Sequence, residues 1–222
     1  MPDASPPDPL AIVRAELTDG FLTGRYVPGQ KLIEAELTSR LGLSRAHVRE
    51  ALGKLDVEGI VTVYHYRGTY VRRFSDEEAF ALIQVFGPQL VLAARLAAGA
   101  VKAKADCSEL AEIREMMAQP ATAAARLADL GVRDRFYRSI ANLSGNPFLE
   151  KQFPATLLHL LRMQVPWVNL EDHGRSSRLA ICDAILAADD EDAARTADTY
   201  SSALLAEIQD RLVDVGQRQS PG

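Results

Sequence analysis

Hydrophobic positions along this chain change their period twice. Before residue 60 they recur every three or four places. Across residues 60–74 β-forming side chains take over, and from residue 75 to about residue 213 the helical spacing returns. Residues 9–20 set Leu10, Ile12, Val13 and Leu17 on one face and predict a first helix. Residues 23–30 are rich in turn formers, with Pro28-Gly29 as a chain-reversal signal. A second helix fits residues 34–41, stopped by Gly42. Ser44 is placed to N-cap a third, over residues 45–58, with Val48, Leu52, Leu55 and Val57 inward and Gly59 at its end. Val61, Val63, Tyr70 and Val71 then flank the turn Tyr66-Arg67-Gly68-Thr69 and predict a two-stranded hairpin. Three short helices followed by a hairpin is the plan of a winged helix-turn-helix.

The second half shows no strand pattern and no repeat. Ser75-Asp76-Glu77-Glu78 reads as a capping box opening a long helix towards Val101, which Gly87-Pro88 is expected to kink or split. Further helices fit residues 108–118, 122–144, 147–163, 176–188 and 191–213, with the break Asn142-Leu143-Ser144-Gly145-Asn146-Pro147 between two of them. The expected fold is mainly α. A disordered lead (1–8) precedes a winged helix-turn-helix (9–74), an all-α helical bundle (75–215) and a flexible tail (216–222).

Charge sharpens this division. The chain carries −5 overall, yet residues 40–73 hold seven Lys/Arg against three acids, while everything from Ser75 onward is net acidic. A basic segment inside an acidic protein implies a face that meets an anion. Cys107 and Cys182 lack metal-site or redox spacing and read as buried free thiols. The acidic, proline-rich start does not resemble a signal peptide, and no apolar run is read as a membrane span, so a cytoplasmic location is expected. No Gly-rich phosphate loop, nucleophile elbow or His/carboxylate cluster points to an enzyme, and no cofactor is implied.

The third helix carries the sharpest chemistry. Arg45 and Arg49 are four residues apart and share a face, with Ala46 and His47 beside them. Arginine binds guanine O6 and N7 bidentately or clamps a phosphate, and both readings stand for this pair. The Ser44 hydroxyl and the open N–H groups at the helix start suit a phosphate. In the wing, His65, Tyr66, Arg67, Gly68 and Thr69 are placed at the tip. His65 or Arg67 entering the minor groove is one reading, a solvated His65 the other.

Residues 23–73 resemble the DNA-binding domain of the GntR family through Pro28-Gly29-Gln30-Lys31-Leu32, Glu36-Leu37, Leu41-Gly42-Leu43-Ser44-Arg45, Val48-Arg49-Glu50-Ala51-Leu52, Leu55, Glu58-Gly59-Ile60 and Arg67-Gly68. The resemblance implies that Arg45, Arg49 and the wing tip touch operator DNA. Ala35 stands where many members have arginine, and Tyr66 where the wing often has glycine.

The remainder is similar to the FCD-type domain of the FadR subgroup, through Ala93-Ala94-Arg95-Leu96-Ala97-Ala98, Phe136, Ser144-Gly145-Asn146-Pro147, Ile181-Cys182-Asp183-Ala184-Ile185 and residues 190–194. That resemblance implies homodimerisation and a small-molecule effector that alters DNA binding. Many such domains hold a divalent metal on one aspartate and three histidines. Those positions fall here on Arg133, Tyr137, Arg178 and near Ser201, beside Tyr200, so no metal is expected. Arg133, Tyr137, Arg178 and Tyr200, with Arg162 as a further candidate, are then expected to bind a carboxylate-bearing effector directly. The other reading pairs these arginines with Asp134 or Asp183, or leaves them on the surface. Phe86 in place of a family arginine makes the pocket more apolar and favours an apolar or aromatic acid. His159 reads as a core or pocket histidine, His173 as solvated in a polar loop, and Trp167 as helix-junction packing. The chain is thus expected to be a ligand-responsive DNA-binding regulator, a repressor by analogy. An effector-independent architectural dimer is the alternative.

Overall fold

The computed structural model describes residues 8–119, 125–164 and 171–218. The chain divides into two compact units, one ending at Arg73 and one beginning at Phe74; His159–Gln164 clusters with the first.

In the first unit, α1 (Pro9–Leu22) starts from Asp8, whose carboxylate accepts the Leu10 N–H at 3.1 Å, with Pro9 where no helical N–H is needed. It buries Val13, Leu17 and Phe21. Leu10 and Ile12, expected on the same face, are only half-buried. Gly20 is required by contact: a Cβ there would lie 2.0 Å from the Tyr26 ring, which packs edge-on against Phe21. Helix α2 (Glu34–Leu41) ends at Gly42 in the left-handed region, φ 65°. Helix α3 (Arg45–Val57) begins at Ser44, whose Oγ accepts the His47 N–H at 3.2 Å. Val48, Ala51, Leu52 and Leu55 face α1 and α2. Val57 corrects the sequence reading, being 89% exposed. The buried stripe runs 48, 52, 55, so its next member is Gly59, and position 57 falls off it.

Strands β1 (Lys31–Leu32), β2 (Val61–Tyr64) and β3 (Gly68–Val71) form one antiparallel sheet in the order β1-β3-β2. The hairpin is the expected one. Strand β1 is not legible in the sequence, since two residues carry no periodicity. Leu32 pairs opposite Thr69 and Val61 opposite Val71, which places the buried side chains on one side of the sheet.

The second unit is built on α4 (Asp76–Lys102). Its capping box closes as expected, with Ser75 Oγ accepting from Glu78 N and Glu78 Oε2 accepting from Ser75 N. Gly87-Pro88 does not split it. Pro88 removes the bond to the Gln84 carbonyl, but both residues lie on the exposed side, where water can satisfy that oxygen. By length and composition alone α4 is long and apolar enough to cross a membrane, a test that the core helix of a folded domain also passes. Here Ala93, Ala94, Ala97 and Ala98 have no exposure, and α6, α9 and α10 pack against the helix. Gly87 brings α10 close: a Cβ there would sit 3.1 Å from Ser201.

The remaining helices are α5 (Ser108–Ala118), α6 (Ala125–Leu143), α7 (Pro147–Gln152), α8 (Ala155–Gln164), α9 (Glu171–Leu186) and α10 (Asp190–Arg218). Two differ from expectation. Residues 147–163, read as one helix, break at Phe153, because Pro154 pushes the residue before it to extended backbone (φ −63°, ψ 123°). Residues 171–174, read as loop, belong to α9. Trp167 and the His173 side chain lie outside the described residues.

Candidate functional site

The exposed start of α3 is the first feature with functional geometry. Val48, Ala51 and Leu52 anchor the helix, so Arg45, Ala46, His47, Arg49 and Glu50 all face outward. The Ser44 hydroxyl oxygen is occupied by the His47 N–H, and its proton remains for donation. Arg49 Nε lies 3.6 Å from Glu34 on α2, with the arginine side chain 74% exposed. At that separation and exposure the pair is weak, so Glu34 steadies the guanidinium without committing it. Lys54 is paired with Glu50 at 2.8 Å. Arg40, part of the basic segment, is instead held at 2.9 Å by Glu16, which also accepts from Arg25 and the Tyr26 hydroxyl, each at 2.8 Å. Burial pushes the Glu16 carboxyl up, but these three donors overcome it and leave its pKa below the usual value.

At the wing, the turn spans residues 65–67, with Arg67 N donating to Tyr64 O at 3.1 Å. His65, Tyr66 and Arg67 are exposed. Tyr66 sits at φ 63° with 96% exposure, and the His65 ring lies 3.9 Å from its own. A β-carbon in the left-handed region costs about 1–2 kcal/mol, which is why glycine favours such positions. Gly68, at φ 96°, opens β3. Thr69 departs from expectation. It is 2% exposed, because the two-residue alternation of β3 turns it inward opposite Leu32 and Val63. Lys31 was missed. Its side chain reaches within 3.1 Å of where a Gly68 Cβ would stand, and its ammonium lies 5.9 Å from the centre of the Tyr70 ring. Only pairing of β1 with β3 brings this cation to the wing.

The second feature is a buried polar set in the helical unit. Arg133 and Tyr137 on α6, Arg178 on α9 and Tyr200 on α10 are each at most 5% exposed, and Ser201 is 6% exposed. The Tyr137 and Tyr200 hydroxyls meet at 2.7 Å. Aromatic rings back them: Phe86 stands edge-on to Tyr137 at 5.4 Å, and Phe136 and Phe153 lie 5.1 and 6.0 Å from it. Asp134 accepts from Arg138 at 2.7 Å, and Asp183 accepts from Arg114 at 2.9 Å. Arg162 is half-buried on α8, within the segment that clusters with the first unit. His159 is buried, as expected. Burial pushes the Cys182 thiol up to about 12.

This donor set does not fit a divalent metal. Two buried guanidiniums repel a cation, and a tyrosine and a serine are weak ligands for one. Among the described residues, no three His, Cys, Asp or Glu side chains gather as a metal site.

Residues 11–71 match the family model described as "Bacterial regulatory proteins, gntR family", and residues 91–202 match the FCD domain. The chain belongs to the gntR family and carries an FCD domain. Among its relatives, an HTH-type transcriptional regulator of Mycobacterium tuberculosis strain CDC 1551 / Oshkosh is 36% identical over 62 residues, 28% of this chain; the match spans 25% of that relative's length. Another, from strain ATCC 25618 / H37Rv, is 28% identical across 89% of this chain and 90% of its own. A "Probable D-xylose utilization operon transcriptional repressor" of Paenarthrobacter nicotinovorans is 28% identical across 76% of this chain and 74% of its own. A gntR regulator structure from Rhodococcus sp. RHA1 shares the fold at TM-score 0.72 and 24% identity, covering 90% of this chain and 97% of its own. E. coli McbR/YncC does so at 0.71 and 19%, covering 92% and 98%.

Proposed function

We propose that this gntR-family protein is a cytoplasmic DNA-binding transcriptional regulator, a repressor, that works as a homodimer and is released from its operator by an organic acid. The observation that carries the DNA-binding part is the start of α3: Arg45, Ala46, His47 and Arg49 project from a helix anchored by Val48 and Leu52, in a domain whose wing carries further cations. Ser44 and the helix N-terminus hold a phosphate, and Arg45 and Arg49 read base edges in the major groove. His65, Tyr66, Arg67 and Lys31 meet the backbone or minor groove beside it. Thr69 supports the sheet from inside.

The effector reading rests on the buried arginines. Desolvating a guanidinium is costly, and a carboxylate matches its planar fork. The aromatic shell around Tyr137 suits an acid with an apolar or aromatic body. Such a ligand, bound more tightly by one dimer geometry, shifts the population away from the DNA-competent form.

The test is a fluorescence-anisotropy titration on a duplex selected from a random-sequence pool by the wild-type protein, at fixed salt. Arg49→Ala is expected to weaken binding by about 1–3 kcal/mol and to relax base preference at one position of the site. Unchanged affinity and preference would remove Arg49 from the interface.

A further inference from the structure

The helical unit also holds a recess of about 310 Å³ where the turn after α4, the start of α5 and the last turn of α6 meet. Its α6 wall is Ser139, Asn142 and Leu143, spaced three and four residues apart and so on one side of that helix. Tyr137 precedes Ser139 by two residues, about 200° around the helix, and belongs to the buried polar set on another side. Asp106, Cys107, Glu109 and Leu110 form the facing wall. Ser139 marks this recess as a site. It is 4% exposed and lines the recess, yet its hydroxyl makes no hydrogen bond among the described residues. A hydroxyl buried to that degree normally has a partner, because an unmade bond is costly. Other serines of this unit find theirs on their own helix or its end: Ser144 Oγ donates to the Ala141 carbonyl at 2.6 Å, and Ser201 Oγ to that of Asp198 at 3.2 Å.

The charge of the recess selects its ligand. Asp106 and Glu109 line it and are both exposed. The Ser108 N–H donates to Asp106 Oδ1 at 2.9 Å, which holds that carboxyl below its usual value and keeps it ionised at neutral pH. Arg135 comes no nearer to Glu109 than 4.0 Å and is shared with Glu112 at 3.9 Å, so Glu109 keeps its charge for a ligand. The last turn of α6 carries no basic side chain, which leaves the negative end of its dipole uncompensated at the recess. A cation is therefore favoured. Among the described residues no three His, Cys, Asp or Glu side chains gather around one point, so a bare metal ion is not what these walls hold. They suit an ion with a body: an ammonium on the carboxylates, a hydroxyl against Ser139 and Asn142, and a short carbon stem along Leu110 and Leu143.

We infer that this recess binds a small amino alcohol, with Asp106 and Glu109 taking its ammonium and Ser139 its hydroxyl. The site is separate from the buried arginines, and it stands whether or not those bind an organic acid.

Ethanolamine, protonated at neutral pH, is the probe. Calorimetric titration of the full chain is expected to show saturable binding with a dissociation constant of roughly 1 mM, in keeping with so few atoms. Cys107 locates the bound molecule. It is half-buried in the wall, whereas Cys182 is fully buried with its thiol pushed up to about 12, so a disulfide reagent such as DTNB reports on Cys107. Ethanolamine at ten times its dissociation constant should slow that reaction about tenfold. Asp106→Asn keeps the acceptor for Ser108 but loses the charge, and is expected to weaken binding about tenfold; Ser139→Ala should do so about fivefold. Circular dichroism showing unchanged helicity separates both from misfolding. Ethylene glycol, the same body without the ammonium, should neither bind nor protect. Absence of saturable heat, heat without protection of Cys107, protection by ethylene glycol at the same concentration, or variants that bind as wild type does would each overturn the site. None of these outcomes bears on Arg49 or on operator binding, which the anisotropy titration above decides.

Discussion

At position 66 a tyrosine adopts a backbone angle that glycine takes freely, and almost all of its ring faces solvent. Neither property helps the isolated fold, and strained, exposed residues of this kind concentrate where a partner arrives. Two substitutions separate the ring from the backbone. Tyr66→Gly removes both, so the melting temperature is expected to hold or rise by a degree or two, because relief of about 1–2 kcal/mol of strain outweighs the extra chain entropy of glycine, about 0.5–1 kcal/mol. Operator affinity is nevertheless expected to fall. Tyr66→Ala keeps the strain and loses only the exposed ring, so it should leave the melting temperature close to wild type and lower operator affinity. A glycine variant that binds the selected duplex as tightly as wild type would take Tyr66 out of the interface. The residue scale is also where the sequence was least legible. Thr69 and Arg67 look alike in a turn-rich string, yet strand alternation buries the first and exposes the second. Lys31 joins the wing only through a two-residue strand that no periodicity announces.

Elements were legible where their ends carry specific chemistry. Gly42 and Ser44 set the end of α2 and the start of α3 because only a left-handed cap and an N-capping hydroxyl satisfy the open backbone there. The capping box at Ser75 did the same for α4. Expectation failed where a proline has two possible outcomes. Pro88 was expected to interrupt α4 but lies where solvent can satisfy the freed carbonyl, whereas Pro154 separates α7 from α8 through the residue before it. Contacts between elements were not legible at all, and the Glu16 cluster shows why: its four members, Glu16, Arg25, Tyr26 and Arg40, span α1, the turn and α2. Because the folded pKa of Glu16 lies below its unfolded value, the stability it contributes is fully present above the usual glutamate range and is lost as pH falls through the folded pKa. Glu16→Gln keeps the Tyr26 bond but loses the charge and is expected to cost about 1–2 kcal/mol at neutral pH, discounted for the partly exposed arginines. Thermal melts from pH 7 to pH 3 should show wild type and variant converging in acid. A constant gap across that range would assign the cost to packing instead of charge.

For the whole molecule, the division into a winged unit and a helical unit would place the DNA reading and the ligand sensing proposed above in separate cores. The FCD resemblance carried over four positions, and at each the residue present argues against a metal. The outcome is an expected behaviour in solution. A thermal-shift series of small aromatic and aliphatic carboxylic acids should raise the melting temperature for one class, with the same gain in the presence of a chelator, since a ligand that binds only the folded state stabilises it by mass action. Arg178→Met, close to isosteric and uncharged, should abolish the gain. Marked destabilisation by the chelator alone would mean that a metal is held after all.

The exposed start of α3 has a consequence for how the protein would be counted in a cell. If two copies of that helix read one two-fold operator, as proposed above, the reading species forms from two encounters, and halving the number of chains well below the dissociation constant quarters the number of readers. Occupancy would then follow abundance as a threshold, and a modest fall in synthesis would change the regulated gene more than in proportion.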